Sequence, residues 1–330
     1  MRYILQILLL CSLPATAQFS GYQSLQLPSG ARNAALGGKV VSISDGDITQ
    51  FQHNPASLDS IQDTDIAISF SPYFAGIYQF SGQYYLPIEK IDGIAVGLNY
   101  LDYGDFISMD ATGNVTGETF RGSDYLMSFG KSHRLNSFSI GVNLKLAHFA
   151  IETYSSTSIL MDIGGMYHYP KGDFNIGLVF KNVGFRINDF YGSANTSLPF
   201  DVQIGASIKP QYMPIRFTMT AYNLVEENLV FREGSQTSGT VKAFDDFFRR
   251  INLGGELIFS KNVNLLLGYN HLRRQELSLN DKGAGAGFSY GLMISIKKFT
   301  FRYARSVYHA NGGANFFTLQ SNIRSFNKVL

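Results

Sequence analysis

Few stretches of this chain combine residue types and spacing that could carry out chemistry. Gly287 to Gly291 reads GFSYG, the G-x-S-x-G pattern that holds a serine nucleophile at a sharp turn between a strand and a helix. Here Ser289 lies within alternating residues, and no helical pattern follows it. His148, His271 and His309 would act as bases only beside such a nucleophile, and we interpret them as loop or rim residues. We therefore expect no catalytic site.

Metal and cofactor motifs are equally sparse. Asp45-Gly46-Asp47 resembles the start of a calcium loop, but the closing Glu of that loop is missing, so a turn stabilised by aspartate side chains is expected. The chain has no H-E-x-x-H motif, phosphate loop or dinucleotide fingerprint. Its 27 Lys and Arg residues balance 25 Asp and Glu residues without a basic block. We expect no metal, no cofactor and no nucleic-acid partner.

A single arginine, Arg32, stands in a tract of small residues, PSGARNAALGG, at positions 28–38. A guanidinium removed from bulk water requires carboxylates that accept two hydrogen bonds each. Four carboxylates remain open as partners: Asp45, Asp47, Asp162 and Glu256. The choice among them depends on the elements that carry them.

Those elements alternate between large apolar and small polar residues from about residue 64 onward. In residues 138–149, FSIGVNLKLAHF, one face is Phe, Ile, Val and Leu and the other is Ser, Gly, Asn and Lys. Segments of about nine to twelve residues are long enough to cross a bilayer as tilted strands. A charge on a lipid-facing position would cost about 2–4 kcal/mol, so charges are expected on the inner face. Seven mid-strand charges share the polar face: Lys145, Asp162, Lys181, Asp201, Arg216, Glu256 and Arg302.

The connections between about fourteen candidate strands alternate in length. Turns such as KSHRLN follow even-numbered strands, and longer stretches over 105–121, 184–198, 225–249 and 271–283 follow odd-numbered ones. Such asymmetry is typical of outer-membrane barrels with periplasmic turns and extracellular loops. The sequence predicts an all-β fold, a single 14-stranded antiparallel transmembrane β-barrel over residues 61–330 with both termini periplasmic.

Residues 18–60 precede the barrel and lack the alternation. They are too few for an independent core, and a disordered tail would leave their Leu, Val and Ile residues without a role. Gly and Ala allow a backbone to lie close against a strand wall. We therefore predict a hatch inside the lumen that begins at the periplasmic side, with Arg32, Asp45 and Asp47 as internal charges and Asn54-Pro55 as the turn into the first strand.

Residues 1–17 have the pattern of a secretory signal peptide, with Arg2, an apolar run and the small residues Ala15-Thr16-Ala17. The apolar run is too short to span a membrane as a helix. The only cysteine, Cys11, lies within this leader, so the mature chain is expected to lack thiols. We predict the outer membrane of a Gram-negative bacterium as its location.

Three predicted loops carry candidates for contact with a protein partner. One contains an apolar helical stripe that either packs on the barrel top and outer-membrane lipid or forms a docking surface with a polar rim. The other two lie over 105–121 and 184–198. The candidate contact residues are Val241, Phe244, Phe247, Phe248, Arg249, Phe190, Tyr191 and Phe106.

SLQLPSGARNAALGG, followed by SDGDITQ and NPASL, resembles the amino-terminal signature of the PorV/PorQ group of type IX secretion outer-membrane proteins, which are similar to FadL transporter barrels. DDFFRRINLGGEL followed by NVNLLLGYNH is also similar to that group, and the resemblance covers essentially the whole mature chain. It implies a barrel with an amino-terminal hatch and a non-enzymatic role as the anchor of a soluble PorZ-like surface protein, in an attachment complex with PorU and PorV. The chain ends in SFNKVL, without the terminal aromatic residue of many such barrels.

A FadL-like transporter of a hydrophobic small molecule is the alternative. It would require an apolar pocket beneath the loops and a kinked strand that opens the wall. Gly164-Gly165 and Gly254-Gly255 would permit such a kink, but glycines also fit a wall packed against a hatch, and we favour that interpretation.

Overall fold

The structure is a computed structural model that describes residues 23–61, 63–88, 92–110, 112–188, 198–226, 245–277, 285–309 and 312–323. The predicted leader lies outside these residues. Fourteen antiparallel strands form a closed barrel, in which each strand pairs with its neighbours in sequence and the last pairs back with the first. This confirms the predicted fold class. The strands are β1 (Asp65–Pro72), β2 (Tyr78–Leu86), β3 (Ile94–Met109), β4 (Val115–Leu135), β5 (Phe138–Ile151), β6 (Tyr154–His168), β7 (Asp173–Asn188), β8 (Asp201–Lys209), β9 (Ile215–Ala221), β10 (Ile251–Ile258), β11 (Val263–Asn270), β12 (Phe288–Ile296), β13 (Phe299–His309) and β14 (Gly312–Asn322).

The outer face of the barrel is apolar and the inner face is polar. On β5, Phe138 and Leu144 are 56% and 51% exposed, whereas Ser139 and Asn143 are 1% and 0% exposed. A wall that presents Phe, Ile, Val and Leu outward is stable in lipid and not in water. The seven mid-strand charges predicted to face inward all lie on the inner face. The barrel therefore has the surface of a transmembrane β-barrel.

The barrel has two distinct ends. β1 begins and β14 ends on the same side, where the connections 136–137, 169–172, 259–262 and 297–298 are short. We call this side the turn end. On the opposite side, the loop end, the connections 222–250 and 271–287 are long.

The wall is much taller on one side than on the other. β3 to β7 contain 14 to 21 residues, whereas β8 to β12 contain seven to nine. The prediction of a loop over 105–121 was wrong, because β3 and β4 continue through these positions to a turn at 110–114. Cross-strand pairs hold this extension together: Phe106 stacks on Phe120 at 5.4 Å, and Arg121 Nε lies 3.1 Å from Asp105 Oδ1. β7 likewise covers the start of the predicted 184–198 loop.

The remaining regular elements are short helices. The residues that the structure describes include the α-helices Ala31–Ala35 and His271–Leu277 and the 3-10 helices Gln23–Leu25, Ile48–Gln52 and Pro55–Ser60. Residues 245–249 are also helical. Within the described part of the chain, none of the helices combines the length and apolar character needed to cross a membrane.

Candidate functional site

Residues 23–61, here called the hatch segment, run through the lumen from the loop end to the turn end. Near the loop end, Leu25 belongs to an apolar cluster against which Phe149 of β5 packs. Near the turn end, Asp59 lies 3.0 Å from Nε2 of His168, the last residue of β6. The hatch was predicted to begin at the periplasmic side with residues 18–22, which lie outside the described residues; the first residues that the structure describes lie near the loop end. The apolar neighbours of Leu25 lie high on the tall wall, which the sequence alone cannot locate.

Small residues of the hatch segment pack against one side of the wall. The helix Ala31–Ala35 and the residues after it form a fully buried apolar cluster with β11, β13 and β14, which contribute Leu266, Ala304, Ala314 and Phe316. Alanine side chains allow the helix axis to lie close to the strands, as the composition of this tract predicts. Gly37 and Gly38 follow with positive φ angles of 92° and 96°, a conformation that ends the helix and favours glycine.

Wall glycines make room for the hatch segment. A Cβ atom on Gly141 would lie 2.3 Å from the carbonyl carbon of Pro55, and one on Gly177 would lie 2.0 Å from the carbonyl oxygen of Val41. Gly164 and Gly254, which the sequence left open as kink positions, also face this segment. These glycines therefore serve contact between the hatch segment and the wall.

Asn54 and Pro55 form the turn that was predicted to lead towards the barrel. The Asn54 side chain accepts a hydrogen bond from the Ala56 N–H at 3.0 Å and caps the helix Pro55–Ser60. Its amide nitrogen donates to the carbonyl oxygens of Val41 at 2.8 Å and Gly165 at 3.3 Å. One side chain thus links two parts of the hatch segment to β6.

Arg32 lies at the centre of a buried ionic network. Its guanidinium makes two bonds of 2.7 Å to Asp45 and bonds of 2.6 and 2.9 Å to Glu256 of β10. Asp47 Oδ2 is 3.4 Å away. Arg216 of β9 donates to the same two partners, at 2.6 Å to Asp45 and 3.0 Å to Glu256. Two guanidiniums therefore share two carboxylates, with bidentate geometry that offsets the cost of burial.

The charge states in this network follow from the contacts. Burial alone would lower the pKa of the Arg32 guanidinium, but the charges of Asp45 and Glu256 raise it above its ordinary value. Burial alone would raise the pKa of Asp45, but the charges of Arg32 and Arg216 lower it. Burial would also raise the pKa of Asp47, but the charges of Arg302 and Arg32 lower it. Arg32, Asp45 and Asp47 are therefore ionised at neutral pH.

Three of the four carboxylates predicted as partners of Arg32 thus contact it. The fourth, Asp162 on β6, lies instead 2.6 Å from Lys145 Nζ of β5. Asp162 also accepts the backbone N–H of Asn182 at 2.8 Å.

A small polar cavity lies between the hatch segment and β4, β5 and β7. We call it the lysine cavity, and its polar lining is Ser24, Gln26, Ser29, Lys39, Gln52 and His53 of the hatch segment with Ser128, Asn143, Lys145 and Lys181 of the wall. Lys181 Nζ donates to the carbonyl oxygen of Gln52 at 3.0 Å. Lys39 Nζ donates to the carbonyl oxygen of Gln26 at 3.3 Å. The cavity thus collects ammonium groups from both sides of the interface.

Titration of the hatch residues reflects this positive environment. Burial lowers the pKa of His53 well below its ordinary value, and the charges of Lys181, Lys39 and Lys145 lower it further. Burial also lowers the pKa of Lys39 to about 8. His53 is therefore neutral at neutral pH, with its Nε2 3.1 Å from the Ser29 hydroxyl.

Four of the eight predicted partner-contact residues, Phe106, Phe247, Phe248 and Arg249, are described by the structure and lie at the loop end. Val241, Phe244, Phe190 and Tyr191 lie outside the described residues. Phe247 is 59% exposed and meets Phe248 edge to face at 5.5 Å. Arg249 Nε lies 2.6 Å from Asp245 Oδ2 within the helical turn 245–249. Phe106 lies on the extended hairpin of β3 and β4 and not in a loop.

Ser289 has no arrangement suited to nucleophilic attack. It lies within β12, so the strand-to-helix turn that the GFSYG motif requires is not formed at this position. Its hydroxyl donates to Ser306 at 3.1 Å and accepts from Arg273 at 3.3 Å.

Sequence reasoning missed the lysine cavity. It placed Asn143, Lys145 and Lys181 on the inner face and His53 beside the Asn54-Pro55 turn, but it did not predict that they meet Lys39 in one cavity. The proximity of these residues depends on the path of the hatch segment through the lumen. The only sequence signal that could have indicated the cavity is the inward position of residues on β5 and β7.

Comparisons with known proteins support the fold. Models of protein families gave no match to this chain, and neither did curated protein sequences. Among solved structures, the TodX monoaromatic hydrocarbon channel deltaS2 mutant is 12% identical with a TM-score of 0.55, covering 90% of this chain and 97% of that chain. The TodX deltaS2S3 mutant is 11% identical with a TM-score of 0.55, covering 89% and 98%. A Pseudomonas aeruginosa FadL homologue is 10% identical with a TM-score of 0.48, covering 89% and 98%. At such identities the likeness to TodX shows a shared fold, that of an outer-membrane barrel.

Proposed function

We propose that this protein is an outer-membrane channel of the FadL-like kind, through which a small molecule passes when the hatch segment moves. One observation carries the proposal: the inner face of the wall is polar, and the lumen that it encloses is filled by the hatch segment instead of by wall side chains. Displacement of that segment would leave a passage lined by polar groups. The shared fold with TodX, a monoaromatic hydrocarbon channel, supports the same function.

In this proposal the turn end faces the periplasm and the loop end faces the exterior. Short turns and long loops are distributed in this way in outer-membrane barrels. The protein has no catalytic role, and the hatch segment acts as the gate. The cargo expected for a FadL-like transporter is hydrophobic, but the lysine cavity favours a cargo that also carries a polar group.

Conductance of the purified protein in planar lipid bilayers tests this proposal. The Arg32→Ala variant is expected to show more frequent channel openings than the unaltered protein, because the substitution removes the hydrogen bonds between the hatch segment and Glu256 of β10. Arg121→Ala is the matched control, since that guanidinium pairs with Asp105 on the exposed hairpin. Equal conductance of both variants and the unaltered protein would contradict a gating role.

A second candidate function is the anchoring of a soluble surface protein, as the PorV/PorQ-like signature implies. The observation that favours it is the tall side of the wall, where the hairpin of β3 and β4 presents exposed apolar side chains at its tip. Ile107, Met109 and Val115 are 59%, 61% and 60% exposed. Aromatic and aliphatic groups on a protruding hairpin suit a protein interface. In this function the partner is PorZ-like, in a type IX attachment complex with PorU and PorV.

Affinity isolation from native outer membranes in mild detergent distinguishes the two functions. The proteins and lipids recovered with the barrel are identified by mass spectrometry. A stoichiometric soluble protein that is lost when the hairpin is shortened between positions 105 and 121, or when the 225–249 connection is shortened, supports anchoring. Recovery of the barrel alone with a defined small molecule supports the channel.

A further inference from the structure

We propose that the lysine cavity is a binding site for a small oxyanion, a carboxylate or phosphate group, held between the hatch segment and the wall. The ligand would contact the ammonium groups of Lys39 and Lys181 and the amide of Asn143. Nothing in the sequence pattern or in the comparisons assigns this site.

The lysine cavity contains more positive than negative charge. Lys39, Lys145 and Lys181 all line the cavity, and among the described residues only Lys145 has a carboxylate within ion-pair distance, Asp162 at 2.6 Å. Asp201 also acts on Lys39 from a longer distance. Three ammonium groups against two carboxylates leave an excess of positive charge in this cavity. An ammonium group without a counter-ion is costly to bury, and a bound anion would offset that cost.

The side-chain amide of Asn143 is a hydrogen-bonding group without a partner among the described residues. Asn143 is fully buried on the inner face of β5, and neither its amide nitrogen nor its amide oxygen has a hydrogen-bond partner among the described residues. Buried amides without partners are rare in folded proteins, and each one calls for an explanation. Here the amide lines the same cavity as the lysines. An oxyanion would accept a hydrogen bond from the amide nitrogen and also balance the positive charge, whereas a water molecule would leave the charge unbalanced.

The cavity lies between the hatch segment and the wall. Ser128 also lines it, and the Ser128 hydroxyl donates to the carbonyl oxygen of Gly97 at 3.3 Å. Lys39 belongs to the hatch segment, and Asn143 and Lys181 belong to β5 and β7. An anion at this position would therefore bridge the gate and the wall, so its occupancy would favour the closed position of the hatch segment. The proposal of an anion site does not depend on whether the barrel conducts, because the site is tested by binding alone.

Equilibrium binding to the full-length mature protein in detergent tests the site. Phosphate and acetate serve as free anions and a medium-chain alkyl carboxylate as an amphipathic source of the same group, at constant ionic strength in titration calorimetry. Lys181→Gln is expected to weaken binding at least tenfold, because it removes a charge-assisted hydrogen bond to the anion. Asn143→Leu, which keeps the approximate volume, is expected to weaken binding in the same direction. Lys171→Gln is the matched control, because Lys171 is exposed in the turn between β6 and β7.

The outcomes separate the sources of the anion. Saturable binding of phosphate or acetate that is weakened by both cavity variants and unchanged by the control identifies a free anion. Binding of the alkyl carboxylate alone, with the same sensitivity, identifies the headgroup of an amphipathic molecule. Absence of saturable binding of all three probes overturns the proposal. Binding that Lys181→Gln and Asn143→Leu leave unchanged, while their thermal unfolding matches that of the unaltered protein, also overturns it. Failure of the channel proposal in the conductance test leaves these outcomes unaffected.

Discussion

Arg32 and Glu256, which are 224 positions apart in the chain, are joined by two hydrogen bonds of 2.6 and 2.9 Å. Glu256 is fully buried on β10, and the Arg32 side chain is 2% exposed. The pair fixes the hatch segment to one strand of the wall, and Arg216 shares the same carboxylate at 3.0 Å. The closed position of the hatch segment therefore depends on a charged contact that a single substitution can remove.

Replacement of Arg32 by alanine is expected to destabilise the folded protein by about 3–5 kcal/mol, because it leaves a buried carboxylate without its main partner. Arg32→Lys keeps the charge but loses the planar fork that serves two carboxylates, so an intermediate loss is expected. Thermal unfolding and protease protection of residues 25–50 measure both effects. Protection in Arg32→Ala equal to that of the unaltered protein would show that the ionic network does not hold the hatch segment.

Replacement of Gly141 by alanine is expected to displace the hatch segment without breaking the barrel. The new Cβ would lie 2.3 Å from the Pro55 carbonyl carbon, so backbone must move, at a cost of about 1–3 kcal/mol. Gly165→Ala is the control, because nothing lies within 4 Å of a Cβ at that position. Hydrogen exchange of residues 50–60 should increase in the first variant only. A similar response to both substitutions would indicate a general effect of alanine on the strands.

The stability of the hatch segment is expected to fall as the pH drops below about 6.5. His53 is buried and its pKa is lowered in the folded protein, so the unfolded chain takes up a proton first. Stability then decreases by up to about 1.4 kcal/mol per pH unit below the ordinary histidine pKa. Thermal unfolding between pH 7 and pH 5 measures this slope, and His53→Gln should flatten it. A slope that survives this substitution would assign the effect to other groups.

Much of the fold is predictable because alternation of residues is a local property. The inward position of Lys145, Lys181 and Glu256 follows from their parity with the large apolar residues of their own strands. The extended hairpin of β3 and β4 was harder to predict, because it continues beyond the last β4–β5 pair, Gly122 and Ile151, and its pairing involves the contact between Phe106 and Phe120.

The candidate site was predictable only in part. The need of Arg32 for bidentate carboxylates follows from chemistry, and the candidates included Asp45 and Glu256. The choice between Glu256 and Asp162 depends on where the hatch segment crosses the lumen, which is fixed by non-local packing of its alanines on β13. The lysine cavity arises from the same path and has no signature in any single stretch of sequence.

A reversible cross-link between hatch segment and wall tests the gating claim most directly. A Cβ on Gly254 would lie 3.1 Å from Leu36 Cβ, close to the separation of about 3.5–4.5 Å in disulfides, and Thr218→Ala makes room beside it. Cys11, the only cysteine, belongs to the predicted leader, so Leu36→Cys with Gly254→Cys would form the one disulfide. In planar bilayers we predict no openings after oxidation and their return after reduction, with Thr218→Ala alone insensitive to both treatments. Openings of equal frequency in the oxidised and reduced protein would contradict the proposal that the hatch segment gates the barrel.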